Sequence, residues 1–332
     1  MIKPLDILVT GGSGFIGSNF ILKFLNYYKK SKVINLDAML VGSNPLNLQG
    51  IKSKNYRFVK GNICDKKILE KLIPKVDCVI NFAAHSHVDR SIHNSAPFLK
   101  SNVYGVYSIL EALRNNKKVK LVQISTDEVF GETLSGKNKE NSPLSPSNPY
   151  SATKASAEML VKAYAKTYDL DTIITRCTNN YGPRQFPEKL IPKTIISATK
   201  NEKIPIHGNG QTTRHWIHVF DHCDALLKVI RHGKNGHIYH ISDPNEITDL
   251  NIVKKILKHM GKSEELIEFV AERPGKDKRY SLDSSRTTKR LEWKPKIKMD
   301  VGIKETIEWY LSNRKQWESI SKKARNPTPW LQ

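Results

Sequence analysis

Ile7-Leu8-Val9-Thr10-Gly11-Gly12-Ser13-Gly14-Phe15-Ile16-Gly17 is the stretch that decides the fold. Four residues suited to a buried strand run into a glycine loop, and helical periodicity follows from Asn19 to Tyr28. A strand that turns through glycines into a helix offers backbone N–H groups at the positive helix end, where a pyrophosphate binds. Val33-Ile34-Asn35-Leu36-Asp37 reads as the next strand and ends on a carboxylate 20 residues past Gly17. A carboxylate at that spacing accepts hydrogen bonds from adenosine ribose hydroxyls. Ala38-Met39-Leu40-Val41 supplies no arginine for a 2′-phosphate, so NAD is expected rather than NADP. The bland alternative, a tight glycine turn serving packing alone, is weakened by the strand–loop–helix context together with Asp37.

Further strands are expected at Tyr56–Val59, Cys78–Phe82, Leu121–Ser125 and Leu170–Thr175, separated by segments able to hold helices. That alternation predicts an α/β protein with a doubly wound parallel Rossmann sheet. Asn138 to Pro149, rich in Asn, Ser and Pro, reads as a surface loop ahead of the helix that carries Tyr150 and Lys154. Asn179-Asn180-Tyr181-Gly182-Pro183-Arg184 breaks the pattern, and beyond it short strands mix with amphipathic helices such as Ile252–Met260 and Ile303–Leu311. The expected organisation is an NAD-binding domain over 1–176, with returning elements from about 215–242. A smaller C-terminal substrate-binding lobe occupies most of 177–332.

The 332 residues carry a net charge of +22, which raises the question of nucleic acid. The lysines are spread along the chain, however, and the short groups Lys117-Lys118-Val119-Lys120 and Lys322-Lys323-Ala324-Arg325 are not interleaved with aromatics. A compositional lysine bias and an anionic small substrate explain the charge better than nucleic-acid binding. Cys64, Cys78, Cys177 and Cys223 lack metal-like spacing and read as reduced core residues, so no metal and a cytoplasmic location are expected. Met1-Ile2-Lys3-Pro4-Leu5-Asp6 lacks the apolar stretch of a signal peptide, and no run approaches the ~20 apolar residues that cross a bilayer, so no membrane association is expected.

Two residue pairs carry the chemistry. Tyr150 precedes Lys154 by four residues, which puts both on one helix face. A tyrosine with its ordinary pKa near ~10 needs a fall of about 3 units, or ~4 kcal/mol, to act as base at neutral pH. One cation at ~4 Å in an effective dielectric of ~20 supplies about that attraction, so Lys154 is expected to suffice, with a nicotinamide cation assisting. Asp127 and Glu128 follow the apolar run Leu121-Val122-Gln123-Ile124 and add a second acid and a second base, as an elimination of water requires. Adjacent strand residues point to opposite faces, so the two carboxyls share a site only if the strand ends at about Ser125 and the chain turns. The competing assignment makes Asp127 a turn cap and Glu128 merely exposed.

Gly11-x-x-Gly14-x-x-Gly17 combined with Tyr150-x-x-x-Lys154 resembles the extended short-chain dehydrogenase/reductase family. Thr126-Asp127-Glu128-Val129-Phe130-Gly131 narrows the resemblance to the nucleotide-sugar 4,6-dehydratases, because related 4-epimerases and glucuronate decarboxylases lack the Asp-Glu pair. The similarity runs nearly end to end, through Ala84–Ser91, Asn179–Pro183, Phe186–Pro192 and Arg273–Tyr280. It implies a nucleoside-diphosphate glucose as substrate, dTDP-glucose ahead of UDP-glucose, in deoxysugar biosynthesis. Tyr150 would take the C4 hydroxyl proton with Thr126 on the same oxygen, Glu128 the C5 proton, and Asp127 would protonate the leaving C6 hydroxyl.

The resemblance also implies NAD contacts from Gly11, Gly14, Phe15, Ile16, Gly17 and Asp37, from Asn62, Ile63, Phe82, Ala84 and Ser101, and from Tyr150, Lys154 and Asn180. Substrate contacts would come from Ser86, Thr126, Asn179, Lys189 and Leu190, and from Pro205, His207, Arg214 and Arg273, with the two arginines on the pyrophosphate. Asn179 could instead satisfy backbone groups in a turn, and Arg214 could be a surface charge. A homodimer is implied as well, through the Tyr150 helix and a preceding helix near Phe98–Leu113. The chain departs from the family pattern at Asn62, His85, Phe130, His215 and Asp249, and at Ala38-Met39-Leu40 beside the ribose. Two readings of other kinds remain: a nucleotide-sugar 4-epimerase or decarboxylase, and a non-catalytic NAD-bound or nucleic-acid-binding protein on the same fold.

Overall fold

A computed structural model describes residues 4–321. Met1-Ile2-Lys3 and the basic group Lys322–Arg325 lie outside the described residues. Twelve strands are formed among the described residues: β1 (Ile7–Thr10), β2 (Val33–Asp37), β3 (Tyr56–Lys60), β4 (Cys78–Asn81), β5 (Lys120–Thr126), β6 (Thr172–Cys177), β7 (Asn179–Tyr181), β8 (Ile204–His207), β9 (Thr213–His218), β10 (Ile238–Ile241), β11 (Glu246–Thr248) and β12 (Ile267–Val270). Seven form one sheet in the order β10-β6-β5-β4-β1-β2-β3, and every neighbouring pair is parallel. The strand order reverses between β1 and β4, which opens the crevice where such sheets hold their ligands. β1, β2 and β4 are buried along their whole length, as a sheet covered by helices on both faces requires. The fold class is therefore the doubly wound parallel sheet that the strand–helix alternation predicts.

The remaining strands build the second lobe. β9 joins β11 antiparallel and β7 parallel, and β12 pairs with β8. Within the span expected to return to the main sheet, the helix Val219–His232 and β10 do so, while β9 belongs to the smaller sheet. Asn179–Tyr181, where the sequence pattern breaks, is the strand β7 that leads into this lobe. Ile191, Ile195, Trp216, Ile252, Ile256, Ile303 and Tyr310 fill its core. Strands β1 to β5 fall within one residue of their expected bounds, and the larger differences reach two to four residues. The first helix begins at Phe15, directly after the glycine loop, and β6 starts at Thr172 and continues to Cys177.

One buried ion pair ties the Pro149–Tyr168 helix to the sheet. Arg176 of β6 lies in register with Ser125 of β5, and Glu158 is one helical turn beyond Lys154. Both side chains are fully buried, with Arg176 Nη2 2.6 Å and Nε 3.0 Å from the Glu158 carboxylate oxygens. Arg176 Nη1 donates to the Glu140 carbonyl at 3.0 Å and faces His240 Nε2 at 3.3 Å. Burial and Arg176 push the His240 pKa down to about 3, so the imidazole stays neutral and can accept. The guanidinium also lies 4.6 Å from the centre of the Phe130 ring. Removing one partner leaves the other as an unpaired buried charge. Glu158→Gln is expected to destabilise the protein by about 3–5 kcal/mol in urea unfolding; a loss below about 1 kcal/mol would mean that the pair is dispensable.

Candidate active site

The carboxyl ends of β1, β2, β4, β5 and β6 face the second lobe across a cleft of about 470 Å³. At one end is the glycine loop. Gly11 has φ +69°, a conformation L side chains rarely adopt, and a Cβ on Gly17 would lie 2.5 Å from the Gly11 carbonyl oxygen. The helix Phe15–Tyr27 has no side-chain cap and no acidic residue in its first turn, and Phe15, Ile16 and Gly17 line the cleft. Its positive end is therefore open to an anion. Asp37 ends β2 with Oδ2 accepting from the Ser13 N–H at 2.9 Å and Oδ1 from the Ser43 hydroxyl at 2.8 Å. These bonds fix the carboxylate at the rim while leaving lone pairs for ribose hydroxyls. Asn62, Ile63, Phe82, Ala84 and Ser101 continue the same wall. Open helix end, close-approach glycines and fixed acid together fit a dinucleotide.

Asn180 also lines the cleft, but its side chain is committed, with Nδ2 donating to the Thr178 carbonyl and Oδ1 meeting His222 Nδ1 at 2.8 Å. Asn62 Oδ1 accepts from the Cys64 N–H at 2.9 Å, which holds the residue in a tight turn.

The reactive groups gather where β5 ends. The strand runs through Thr126, one residue beyond expectation, and Asp127–Phe130 then forms a single 3-10 turn. Glu128 N–H donates to Thr126 Oγ1 at 3.3 Å, and the Thr126 hydroxyl donates to Asp127 Oδ1 at 3.1 Å. This turn breaks strand alternation, the requirement for two successive carboxyls to serve one place. Thr126, Glu128, Tyr150 and Lys154 all line the cleft. Asp127 does not. It is 2% exposed and lies against Thr126 behind the wall, so the expectation that both carboxyls face the cleft is corrected for this residue.

The electrostatics depart further from expectation. Burial, then Glu128, Cys177 and Asp127, push the Tyr150 phenol well above its ordinary pKa. Burial brings Lys154 down to about 8, and its ammonium donates to the Ile124 carbonyl at 2.6 Å. The attraction of Lys154, expected to suffice with a nicotinamide cation assisting, is outweighed in the protein alone by desolvation of the phenol and by the neighbouring acids. Asp127 is raised to about 7 by burial and by Glu128, with Arg214 opposing. Glu128 is raised by burial, opposed first by Arg273 and then by Arg214 and Lys189. An acid poised to hold or release its proton near neutral pH thus sits behind a carboxyl that three cations favour in its charged form.

The other end of the cleft is cationic. Arg214 Nη1 and Nη2 donate to the carbonyls of Thr213, Lys278 and Asp277, and the guanidinium stacks 4.3 Å from the Tyr280 ring centre. At 5% exposed, Arg214 is a fixed cation in the wall and not a solvated surface charge. Lys189 Nζ donates to the Ser86 carbonyl at 2.8 Å, which brings those two residues together. Asn179, Leu190, Pro205, His207 and Arg273 complete the set assigned to substrate.

Asp89, Lys276 and Tyr280 also line the cleft and went unassigned from sequence, although each falls within a stretch that carries the family resemblance. Asp249, half-buried at the cleft, has its pKa raised by desolvation, with Arg214 and Lys276 opposing, and Lys276 Nζ lies 3.9 Å from its carboxylate. The unusual acid therefore has a counter-charge. His215, another departure, is 1% exposed and bonded to the Asp243 carbonyl and Ser281, outside the cleft lining, as is Phe130 under Arg176.

A family model described as GDP-mannose 4,6 dehydratase matches residues 8–306. A low-salt glycan biosynthesis protein of Haloferax volcanii is 46% identical over 310 residues, spanning 93% of this chain and 99% of that relative. A dTDP-glucose 4,6-dehydratase of Streptomyces niveus is 41% identical over 321 residues, covering 95% of this chain and 96% of the other. A crystal structure of a dTDP-glucose 4,6-dehydratase from Streptomyces venezuelae, with NAD bound, superposes with a TM-score of 0.92 at 39% identity, covering 95% of this chain and 100% of that one. Matched along nearly its whole length in sequence and in fold, the chain belongs to the nucleotide-sugar 4,6-dehydratases.

Proposed function

We propose that this protein is an NAD-dependent lyase that converts dTDP-glucose to dTDP-4-keto-6-deoxyglucose. The observation that carries this reading is the β5 turn, which sets Glu128 in one wall with Tyr150 and Lys154 and buries Asp127 directly behind, its pKa raised to about 7. NAD supplies a positively charged ring that accepts hydride from C4 and later returns it to C6. Tyr150 accepts the proton of the C4 hydroxyl, with the Thr126 hydroxyl beside it. Lys154, anchored on the Ile124 carbonyl, adds positive charge on the same helix face. Once C4 is a ketone, the C5 hydrogen is acidic enough for a carboxylate; Glu128 removes it, and returns a proton to C5 after hydride has been delivered to C6. Asp127, behind Glu128 and hydrogen-bonded to the Thr126 hydroxyl, supplies the proton taken by the departing C6 hydroxyl. Arg214, Arg273 and Lys189 neutralise the diphosphate. An epimerase needs no second acid–base pair, and the two carboxyls favour dehydration for that reason.

The residues assigned to NAD and to the sugar nucleotide keep the roles that the resemblance implies, within a cofactor-binding part up to about residue 176 and a mainly substrate-binding part after it. A homodimer is proposed through the faces bearing Leu99, Tyr104, Tyr107 and Met159, four large apolar side chains left exposed on adjoining helical segments. No helix among the described residues is long and apolar enough to cross a membrane. Four free thiols accord with a reducing cytoplasm.

Incubation with dTDP-glucose in D₂O should give a C6 methyl group and deuterium at C5 by NMR, and UDP-glucose run in parallel should turn over with lower kcat/KM. Release of an epimerised sugar with its C6 hydroxyl intact would reject dehydration. Glu128→Gln should keep bound NAD and lose C5 exchange by about 10²–10⁴-fold; ordinary exchange in that variant removes Glu128 from the mechanism. The protonated form of Asp127 is present below about pH 7 and lost above it. Accordingly kcat/KM should fall on the alkaline side with an apparent pKa near that value, a property of the coupled carboxyl pair. Asp127→Asn should abolish this limb, and an unchanged limb would assign it to another group. Light scattering should give twice the 37.8 kDa chain mass, whereas a monomeric mass rejects the interface.

A further inference from the structure

Arg273 enters the cleft from the segment after β12, and Asp89 reaches it from the short helix Val88–His93 after β4. Although 184 residues apart in sequence, they meet with Arg273 Nη1 2.8 Å from Asp89 Oδ1, at side-chain exposures of 16% and 10%. We propose that Asp89 is a positioning residue that holds Arg273 as the diphosphate clamp of the cleft. The inference rests on the nucleotide-sugar reading above and deepens it.

Two carboxylates and two guanidiniums stand here, and they divide one to one. Arg90 goes to Glu188, with Nη2 at 3.0 Å and Nε at 3.1 Å from Oε2, which leaves Asp89 to Arg273. The second Asp89 oxygen lies 3.9 Å from His87 Nε2. Burial first, then the cation Lys189, hold that imidazole well below its ordinary pKa, so neutral His87 does not compete for the carboxylate as a cation. Burial would raise Asp89 itself, but Arg273 beside it brings it below the usual carboxylate range, so it is charged at neutral pH.

The way the guanidinium is used separates a clamp from an adhesive contact. Arg176 spends Nε, Nη1 and Nη2 on protein partners, as expected of a cation that only binds elements together. Arg273 is held by one corner, and its buried Nε has no hydrogen-bond partner among the described residues. An arginine fixed at one nitrogen keeps its remaining donors in a rigid plane for a second anion, the geometry that phosphate oxygens match. Asp89 also keeps Arg273 from closing on Glu128, a nearby carboxyl for which Arg273 is the foremost of the opposing cations. Without that tether the guanidinium has a nearby acid to bind in place of the substrate.

The test is calorimetric titration of NAD-loaded protein with dTDP and, in parallel, UDP, so that the result for Asp89 stands whichever base binds and turnover of dTDP-glucose remains the separate test of the reaction. Asp89→Asn should weaken nucleotide binding about tenfold with NAD content unchanged, and the same substitution in an Arg273→Gln background should change it less than twofold. Unchanged affinity in the single variant, or equal weakening in both backgrounds, overturns the assignment. Arg273→Lys keeps the ion pair with Asp89 but not the planar fork. It should lose nucleotide affinity about tenfold at an unchanged urea midpoint, giving a second readout should Asp89→Asn fail to fold; retained affinity there overturns the clamp.

Discussion

The Arg176–Glu158 pair is the constraint on which the catalytic arrangement depends. Burying two opposite charges recovers its desolvation cost only with good geometry and further hydrogen bonds. Here the guanidinium has both, with Glu140, His240 and the Phe130 ring completing its surroundings. The pair joins the helix bearing Tyr150 and Lys154 to β6, beside β5, and Phe130 comes from the turn that contains Asp127 and Glu128. Helix, strand end and turn are thereby fixed in one frame. Lys154 adds a second tie by donating to the Ile124 carbonyl, so the lysine proposed for the chemistry is also a structural one.

That rigidity supports an electrostatic arrangement a stable core would avoid. Asp127, Glu128, Tyr150 and Lys154 are all pushed toward their neutral forms, in each case chiefly by burial. Perturbed groups of this kind cluster at catalytic sites because proton transfer needs acids and bases poised near the working pH. The cations at the far end of the cleft act on the same groups. Arg214 opposes the rise of Asp127, and Arg273 opposes that of Glu128, so the residues proposed to meet a diphosphate also tune the carboxyls. Binding and acid–base chemistry share one field.

Much of the fold was legible because its signals are local. The strand, glycine loop and helix at Ile7–Gly17, the acid at Asp37 and the alternation through β6 each occupy a few neighbouring residues. The Asp127-Glu128 and Tyr150-Lys154 spacings were equally local, and the need for a turn after β5 followed from strand geometry alone. What sequence left unread depends on contacts between distant residues. Nothing in the order of residues marks the three carbonyls and the tyrosine ring that immobilise Arg214, or the Lys276 ammonium that stands beside Asp249. The balance at Tyr150 was misjudged for the same reason, since desolvation is a property of the whole packed site.

Residue order by itself determined which groups are available and at what local spacing: a dinucleotide loop, a ribose acid, a tyrosine and lysine on one helix face, and two adjacent carboxyls. Periodicity and turn chemistry act over a few residues, so a single chain read in order contains them. Tertiary structure alone decided which carboxyl faces the cleft, which stays neutral behind it, and which arginine pairs with which acid. Those outcomes depend on burial and on charges brought together from over a hundred residues apart, and neither exists until the lobes have closed on each other.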